Sequence, residues 1–198
     1  MPSHAAIISK SGVELKILFG SPGEAFLPRS RRAEVGRVSV RLQGVLPEEL
    51  FDRMNGERLD RQLDAVVLLI TVDEGGWPYA AMLSYLEVIA PDRTTLRLAP
   101  WNNSTTTANL RRNGKVSLLV VEEGIAYYIQ GTATELSREM EGFPGMAKIH
   151  IQIESILQDN ALDYEGAARI TSGIRFANPQ MDAAWVERGR RVLAALQS

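Results

Sequence analysis

The residues best suited to chemistry form one polar segment near the middle of the chain. Residues 102–110 read NNSTTTANL, in which four hydroxyl side chains follow one another. Ser104 or Thr105 would cap a short helix beginning here, because a hydroxyl accepts a hydrogen bond from the first free amides of a helix. Those amides and the neighbouring hydroxyls would form a cradle for a phosphate group. An ordinary helix cap without a ligand stays the alternative, since Ser and Thr cap helices in proteins of every function.

Other reactive side chains are sparse. The chain has no cysteine, which removes disulfides, thiolate metal sites and cysteine nucleophiles. Its two histidines, His4 and His150, belong to no pattern of metal ligands, and we predict no metal site. Glu122 and Glu123 precede a glycine at a hairpin tip, and we interpret them as a solubilising turn. No side chain stands out as a catalytic acid or base, so the catalytic residues stay unassigned.

Two arginine-containing segments are further candidates for binding an anion. Arg29–Arg32, followed by Arg37 and Arg41, is the most basic part of the chain. We favour a solvated face or an ionic contact with acidic helices there, because charge runs are usually surface features. In the segment 171–176, which reads TSGIRF, Arg175 could reach an anion or a neighbouring subunit. A turn into an edge strand is the interpretation we favour.

Strand-like runs separated by short turns surround the polar segment. Apolar runs and alternating patterns predict six strands, at Val66–Val72, Trp77–Ala90, Thr94–Ala99, Val116–Val121, Ile125–Glu135 and Ala147–Leu157. The first is a nearly continuous apolar run, as expected of a strand covered on both faces. Because short turns join most of the runs, the pattern favours an antiparallel barrel over a parallel sheet.

Helices flank these strands in the sequence. Pro47, Glu48 and Glu49 start a predicted helix at 47–63, which Asn55-Gly56 would interrupt or split. Residues from Asp182 to Leu196 form an amphipathic helix that would close a core or a dimer interface. We predict a single domain over 1–198, divided into an accessory arm at 1–46, the helix at 47–63, a barrel core at 65–157 and a C-terminal extension and helix at 158–198.

Composition limits the class of protein. The chain has 198 residues, 45% of them hydrophobic, and a formal net charge of −2, as in soluble globular proteins. We do not expect nucleic-acid binding, for which Arg29 to Arg41 is the one weaker alternative. The first residues do not form a signal peptide, and no apolar run approaches the roughly 18 residues that span a bilayer. We therefore expect a cytoplasmic protein without membrane partners.

Three local patterns together resemble the pyridoxamine 5′-phosphate oxidase-like family, the FMN-binding split barrels. The first is the hairpin DEGGWPYAA at 73–81, where a glycine turn precedes a proline and a strand. The second is the hydroxyl-rich turn that continues as TANLRRN at 107–113 and then the strand from Lys115. The third is YIQGTA at 128–133. The resemblance covers about residues 60–157 and implies a mainly β fold, a six-stranded antiparallel split β-barrel with flanking helices.

The resemblance also implies a homodimer that binds FMN at the subunit interface. By motif position, the strand along the isoalloxazine ring would comprise Ala80, Ala81, Met82, Leu83 and Ser84. The residues around the ribityl phosphate would be Ser104, Thr105, Thr106 and Asn109. Trp101 and Tyr128 are candidate neighbours of the ring or the substrate, with core or interface positions as the alternative. The implied function is that of a flavin-dependent oxidoreductase of unknown substrate.

The chain departs from the vitamin B6 oxidases of this family where those enzymes carry basic residues. No lysine or arginine occurs between Trp77 and Pro91 or between Pro100 and Leu110. Charge-assisted contacts are about twice as strong as neutral ones, so Arg97, Arg111 or Arg112 would have to assist phosphate binding. We do not expect oxidation of pyridoxamine phosphate itself. The alternative function is a non-catalytic binding or storage module for another planar or phosphate-bearing ligand, such as haem or a deazaflavin.

Overall fold

The structure, a computed structural model, describes residues 39–160, 168–177 and 182–198. Most of the predicted accessory arm, including the basic segment Arg29–Arg32 and Arg37, lies outside the described residues. The strands are β1 (Ser39–Gln43), β2 (Val66–Val72), β3 (Pro78–Ser84), β4 (Val88–Asp92), β5 (Thr95–Leu98), β6 (Lys115–Glu122), β7 (Ile125–Ser137) and β8 (Lys148–Asn160). The α-helices are α1 (Glu48–Met54), α2 (Thr105–Asn113) and α3 (Ala183–Gln197), and a 3₁₀ turn covers Leu59–Arg61.

All of these strands belong to one antiparallel sheet. Its order is β3-β2-β6-β7-β8-β5-β4, and β1 pairs with β8 in addition. Strand β8 serves both halves of the sheet, because its first part pairs with β5 and its second part with β1. The ladder between β7 and β8 is irregular at Gln130/Gly131, and such bulges bend a sheet. The result is the curled, mainly β split barrel that the sequence predicted.

Gly131 is required at that bulge by close approach of the neighbouring strand. A Cβ atom at this position would collide with the carbonyl oxygen of Gln152 and would lie 2.7 Å from Cγ2 of Ile151. Any larger residue would push β7 and β8 apart. Packing against β8 is therefore sufficient to explain the glycine in the YIQGTA pattern.

The predicted number of six strands is wrong, because the described residues already form a sheet of eight strands. Strand β1 lies in the segment that was assigned to the accessory arm, and it pairs with the end of β8. The run Trp77–Ala90 forms two strands instead of one. The chain turns between them because the amide of Glu87 donates to the carbonyl of Ser84 over 3.0 Å, while the Glu87 carboxylate accepts from the Ser84 amide over 2.9 Å.

The core lies between one face of the sheet and the helices. In β2, Val67 and Leu69 are fully buried, whereas Leu68 and Ile70 on the other face are only half-buried. Helix α1 contributes Leu50 and Met54, and α3 contributes Val192, Leu193 and Leu196. In β2, β6 and the first part of β8, alternate residues thus face the core, and the remaining residues form an outer face.

Helix α3 is fixed at its C-terminus by two cationic side chains. Nη1 of Arg97 donates to the carbonyl of Gln197 over 2.8 Å, and Nζ of Lys148 donates to the carbonyl of Ala195 over 2.8 Å. Positive charge at this end also complements the helix dipole. Burial, followed by the neighbouring Arg97, lowers the pKa of Lys148. These contacts hold the end of α3 against β5 and β8.

The segment Thr171–Phe176 runs beside the residues that lead into β2. Ala65 and Arg175 form an isolated antiparallel bridge, and the amide of Phe176 donates to the carbonyl of Asp64 over 2.7 Å. The Arg175 guanidinium lies 2.7 Å from the carboxylate of Asp64. Arg175 thus has an anionic partner within its own chain. No helix in the described ranges is long and apolar enough to cross a membrane.

Candidate functional site

The polar segment forms a capped helix N-terminus. Of the two predicted caps, the structure uses Ser104, whose Oγ accepts a hydrogen bond from the amide of Thr107 over 3.2 Å. The hydroxyl of Thr107 donates to the carbonyl of Trp101 over 2.8 Å. The turn before α2 is therefore held by side-chain contacts within the segment itself.

Only the first residues of α2 have groups that a ligand can reach. Thr105 is exposed, whereas Thr106 is only 6% exposed and Asn109 only 2%. The amides of Thr105 and Thr106 have no acceptor within the helix, because the first amides of any helix lack one. The helix has no acidic residue in its first turn. The groups left for a ligand are thus the amides of Thr105 and Thr106, the exposed Thr105 side chain and the positive end of the helix dipole.

Asn109 lies in the core and connects α2 to the sheet. Its Nδ2 donates to the hydroxyl of Thr71 over 3.0 Å, and that hydroxyl contacts the carbonyl of Tyr79 at 3.4 Å. Thr71 belongs to β2 and Tyr79 to β3. Asn109 therefore sets the position of α2 relative to the two strands.

The predicted ring-binding residues lie on β3, at one end of the sheet. Strand β2 is the only partner of β3 among the described residues. Backbone groups on the other edge of β3 are consequently free to pair with a ligand, as on any edge strand. Side chains alternate along the strand: Ala80 and Met82 are exposed on the outer face, while Ala81 is half-buried and Leu83 is buried on the core face.

Ser84 ends β3 and brings the strand close to the turn before α2. Its amide and hydroxyl both donate to Oε2 of Glu87, over 2.9 Å and 3.1 Å. Ser84 and Trp101 line the same cavity of about 200 Å³. The predicted strand and the predicted turn thus meet at one end of the molecule, although Thr106 and Asn109 lie inside the protein.

The three arginines considered for phosphate binding all contact the protein. Arg97 donates to carbonyl groups at the end of α3. Arg111 donates from Nε to the carboxylate of Glu135 over 2.9 Å and from Nη1 to the carbonyl of Asn102 over 3.1 Å. Arg112 contacts Oδ1 of Asn109 at 3.2 Å and also binds the carbonyl of Val72. All three arginines thus have partners within the protein, and Arg111 contacts Asn102 in the turn before α2.

The contacts of β3, α2 and the three arginines determine how well this region suits FMN. The free edge of β3 and its two alanines suit a flat ring, and the amides of α2 suit a phosphate. The three arginines considered as phosphate ligands are engaged by other groups of the protein, so the fit is partial. Within the same residues, no three His, Asp or Glu side chains cluster closely enough to hold a metal ion.

An apolar row, which the sequence patterns did not predict, lies on the outer face of the sheet. The row crosses five neighbouring strands through directly paired residues, in the order Met82, Leu68, Leu119, Tyr128 and Leu157. Met82 is 58% exposed and Tyr128 37%, and the other three are half-buried. The continuous apolar sequence of β2 was the available signal, since it predicts a strand covered on both faces.

Comparisons with known proteins place the chain in a family. The family model described as pyridoxamine 5′-phosphate oxidase matches residues 61–171, more than half of the chain. The uncharacterized protein YclD of Bacillus subtilis is 34% identical over 130 residues, which cover 66% of this chain and 82% of YclD. On these two findings, the chain belongs to the pyridoxamine 5′-phosphate oxidase family.

Solved structures with a similar fold share less of the sequence. HupZ from Group A Streptococcus is 19% identical, with a TM-score of 0.45, over 67% of this chain and 99% of that one. An FMN-binding protein from Syntrophomonas wolfei is 21% identical, with a TM-score of 0.41, over 56% of this chain and 86% of that one. The family assignment rests on the family model and on YclD.

Proposed function

We propose that this member of the family is a flavoprotein, which binds FMN along the free edge of β3 with the phosphate at the N-terminus of α2. One observation carries the proposal: β3, whose outer edge pairs with none of the described residues and which contains the small residues Ala80 and Ala81, ends beside the turn that begins α2, and the first turn of α2 has no acidic residue. Backbone groups of the strand would pair with the polar edge of the ring. The amides of Thr105 and Thr106 would hold the phosphate.

Bound FMN would supply the electron-transfer chemistry of an oxidoreductase. The residues of the chain would bind and orient it. The hydrogen bond from Asn109 to Thr71 would keep the phosphate site and the ring site at a constant separation. The hydroxyl of Thr105 would contact the phosphate, and Met82 would cover the outer side of the ring site. The substrate and the electron donor stay open.

We further propose that the active species is a homodimer formed through the outer face of the sheet. The row Met82, Leu68, Leu119, Tyr128 and Leu157 gives a continuous apolar stripe, which would be costly to leave in water. Because Met82 belongs both to this row and to β3, a partner subunit packed on the row would lie next to the proposed ring site. FMN would then bind close to the subunit interface.

Titration of FMN into ligand-free protein, followed by quenching of flavin fluorescence, tests the cofactor assignment. We expect saturable binding with a Kd of about 10 µM or tighter. Riboflavin, which lacks the phosphate, should bind about tenfold more weakly, because helix amides would be lost as ligands. Absence of saturation for FMN by about 100 µM would remove the proposal.

A charge placed at the helix N-terminus identifies the phosphate site. Thr105→Glu should abolish FMN binding by repulsion but leave the helix intact, since Glu is favourable in a first helical turn. The matched control is Thr134→Glu, which adds the same charge at an exposed threonine of β7. Equal effects of the two substitutions would show that the phosphate does not bind at α2.

A second function is supported by the internal contacts of Arg97, Arg111 and Arg112. Without a cationic phosphate ligand, the same edge could hold another planar ligand, such as haem or a deazaflavin, in a non-catalytic module. The absorption spectrum of the ligand that co-purifies with the protein distinguishes the two functions. Oxidation of a reduced nicotinamide by the FMN-loaded protein would favour the enzyme, and FMN binding without turnover would favour the module.

A further inference from the structure

We propose that a second site, which includes Ser84 at the end of β3 but neither Ala80 nor Ala81, binds a small planar aromatic acid. The site is the cavity of about 200 Å³ between α3 and the turn that joins β3 to β4, called here the α3 cavity. Its lining comprises Ser84, Leu86, Glu87, Trp101, Met146, Trp185, Arg188, Gly189 and Val192. Two indoles, one guanidinium and one carboxylate thus share a single small cavity.

The indole walls suit a flat ligand. Trp101 is 52% exposed although its backbone is fixed, since its carbonyl accepts from the Ser104 amide over 3.1 Å and from the Thr107 hydroxyl over 2.8 Å. Trp185 projects from α3 and is half-buried against the core. A large exposed indole in a rigid turn gains from stacking on a flat ring, because aromatic pairs contribute about 0.5–1.5 kcal/mol beyond their buried area.

Helix α3 approaches the turn closely because residue 189 has no side chain. A Cβ atom at Gly189 would lie 2.8 Å from Cδ1 and Cγ of Leu86. The close contact closes the floor of the α3 cavity with apolar groups. At about 30 Å³ of liquid volume per water molecule, the cavity equals roughly seven waters, which is room for one substituted ring.

Arg188 supplies the anion-binding group. Its Nη2 lies 3.7 Å from Sδ of Met146, and its Cζ lies 5.9 Å from the centre of the Phe143 ring. Within residues 39–160, 168–177 and 182–198, no carboxylate comes within salt-bridge distance of this guanidinium. Sulfur and ring contacts leave most of its donors unused, and a carboxylate would pair with them through strong charge-assisted bonds.

Glu87 determines the charge and hydrogen-bonding character of the second substituent of the ligand. Its Oε2 accepts two hydrogen bonds from Ser84, which hold the carboxylate in place at the cavity wall. A second anionic group on the ligand would be repelled by Glu87, whereas an amino group would donate to it. The chemistry of the α3 cavity therefore selects a ring that carries one carboxylate and one hydrogen-bond donor, such as an aminobenzoate.

Fluorine NMR of ligand-free protein containing 5-fluorotryptophan tests this inference. The chain has three tryptophans, and Trp77, which is 72% exposed outside the cavity, is the internal reference. Addition of 3-aminobenzoate should shift the Trp101 and Trp185 signals together, with a Kd of about 0.1–1 mM, and leave Trp77 unchanged. No saturable shift by about 10 mM, or an equal shift at Trp77, would overturn the proposal.

Variant proteins and ligands establish the charge pattern. Arg188→Gln should weaken binding about tenfold, as should replacing the ligand by neutral 3-aminobenzamide or by the dianion isophthalate. The matched control is Arg190→Gln, which removes the same charge from α3 but affects an arginine paired with Asp60 over 2.8 Å. Unchanged affinity in Arg188→Gln would refute the assignment. Because the protein contains no flavin in this experiment, a negative FMN titration does not alter its outcome.

Discussion

The side-chain amide of Asn109 lies 3.0 Å from the hydroxyl of Thr71, and this buried hydrogen bond joins α2 to the sheet. Thr71 is paired with Tyr79 in the neighbouring strand. Arg112 contacts the other polar atom of the same amide at 3.2 Å. The helix proposed to hold the phosphate and the strand proposed to hold the ring are thus positioned by one polar network.

Removing the Asn109 side chain should destabilise the protein. In Asn109→Ala the Thr71 hydroxyl loses its buried donor, and we expect the free energy of unfolding to fall by about 1–3 kcal/mol. Urea denaturation measures the change. Asn103→Ala, at an exposed position of the same segment, is the control and should change stability little. Equal stabilities of the two variants would show that the hydrogen bond does not contribute.

Substitutions at Ser104 should separate helix capping from ligand binding. Ser104→Ala removes the cap of α2 and should cost about 1 kcal/mol of stability. Ser104→Asp keeps an oxygen acceptor and should retain stability, because Asp caps as well as Ser. Its negative charge should nevertheless weaken FMN binding by repelling the phosphate. Thermal unfolding and FMN titration measure the two effects, and tight FMN binding by Ser104→Asp would contradict the proposed phosphate position.

Much of the sheet could be predicted from the sequence because local patterns determine it. The apolar run Val66–Val72 and the alternation in Ala147–Leu157 identify strands without knowledge of their partners. The break after Ser84 could not be predicted in this way. It depends on the hydrogen bond from the Ser84 amide to the Glu87 carboxylate. In the sequence alone, Glu87 has the pattern of an ordinary strand residue that faces solvent.

The candidate site was predictable only as far as local rules extend. Ser104 follows the rule for helix caps, and the structure uses it as one. The burial of Asn109 depends on Thr71, which is 38 residues away in the chain, and no local pattern indicates such a pairing. The outer apolar row likewise arises from strand register. Met82 and Leu157 become parts of one stripe only when β2, β6 and β7 lie between them.

Tyr85 should be replaceable by phenylalanine without loss of stability. Its side chain is 3% exposed, and its hydroxyl has no hydrogen-bond partner among the described residues. Burying an unpaired hydroxyl costs free energy, so Tyr85→Phe should leave the free energy of unfolding unchanged or raise it by about 1 kcal/mol. Tyr79→Phe, at an exposed tyrosine, is the control for urea denaturation. A loss of more than about 1 kcal/mol in Tyr85→Phe would imply a hidden partner for the hydroxyl.

The same tyrosine should make stability depend on alkaline pH. Burial raises the pKa of Tyr85 well above its ordinary value, and Glu122 raises it further, while Arg53 acts in the opposite direction. The unfolded chain therefore releases this proton above about pH 10, where the folded chain still keeps it. The contribution of Tyr85 to the free energy of unfolding should therefore be fully present below about pH 10 and should decrease above it. The free energy of unfolding of Tyr85→Phe should fall less steeply over the same pH range. Denaturation at about pH 8 and about pH 10.5 measures the difference in slope.

The outer apolar row should hold the proposed dimer together. Met82 is the most exposed member of the row, at 58%, and its cross-strand neighbour Leu68 is apolar. An aspartate at this end of a packed apolar interface would be buried without a partner, which is strongly unfavourable. We therefore expect Met82→Asp to convert the protein from twice the 21.9 kDa chain mass to the mass of a single chain. Light scattering after gel filtration gives both masses.

A matched substitution separates the row from general surface effects. Leu136 is also an exposed apolar residue, at 52%, and lies on β7 outside the row, so Leu136→Asp should remain dimeric. FMN affinity should fall in Met82→Asp together with the dimer, because the partner subunit would complete the ring site. A wild-type protein of single-chain mass, or dissociation by both substitutions, would show that this face is not the subunit interface. Retained FMN affinity in a monomeric Met82→Asp would instead place the whole cofactor site within one chain.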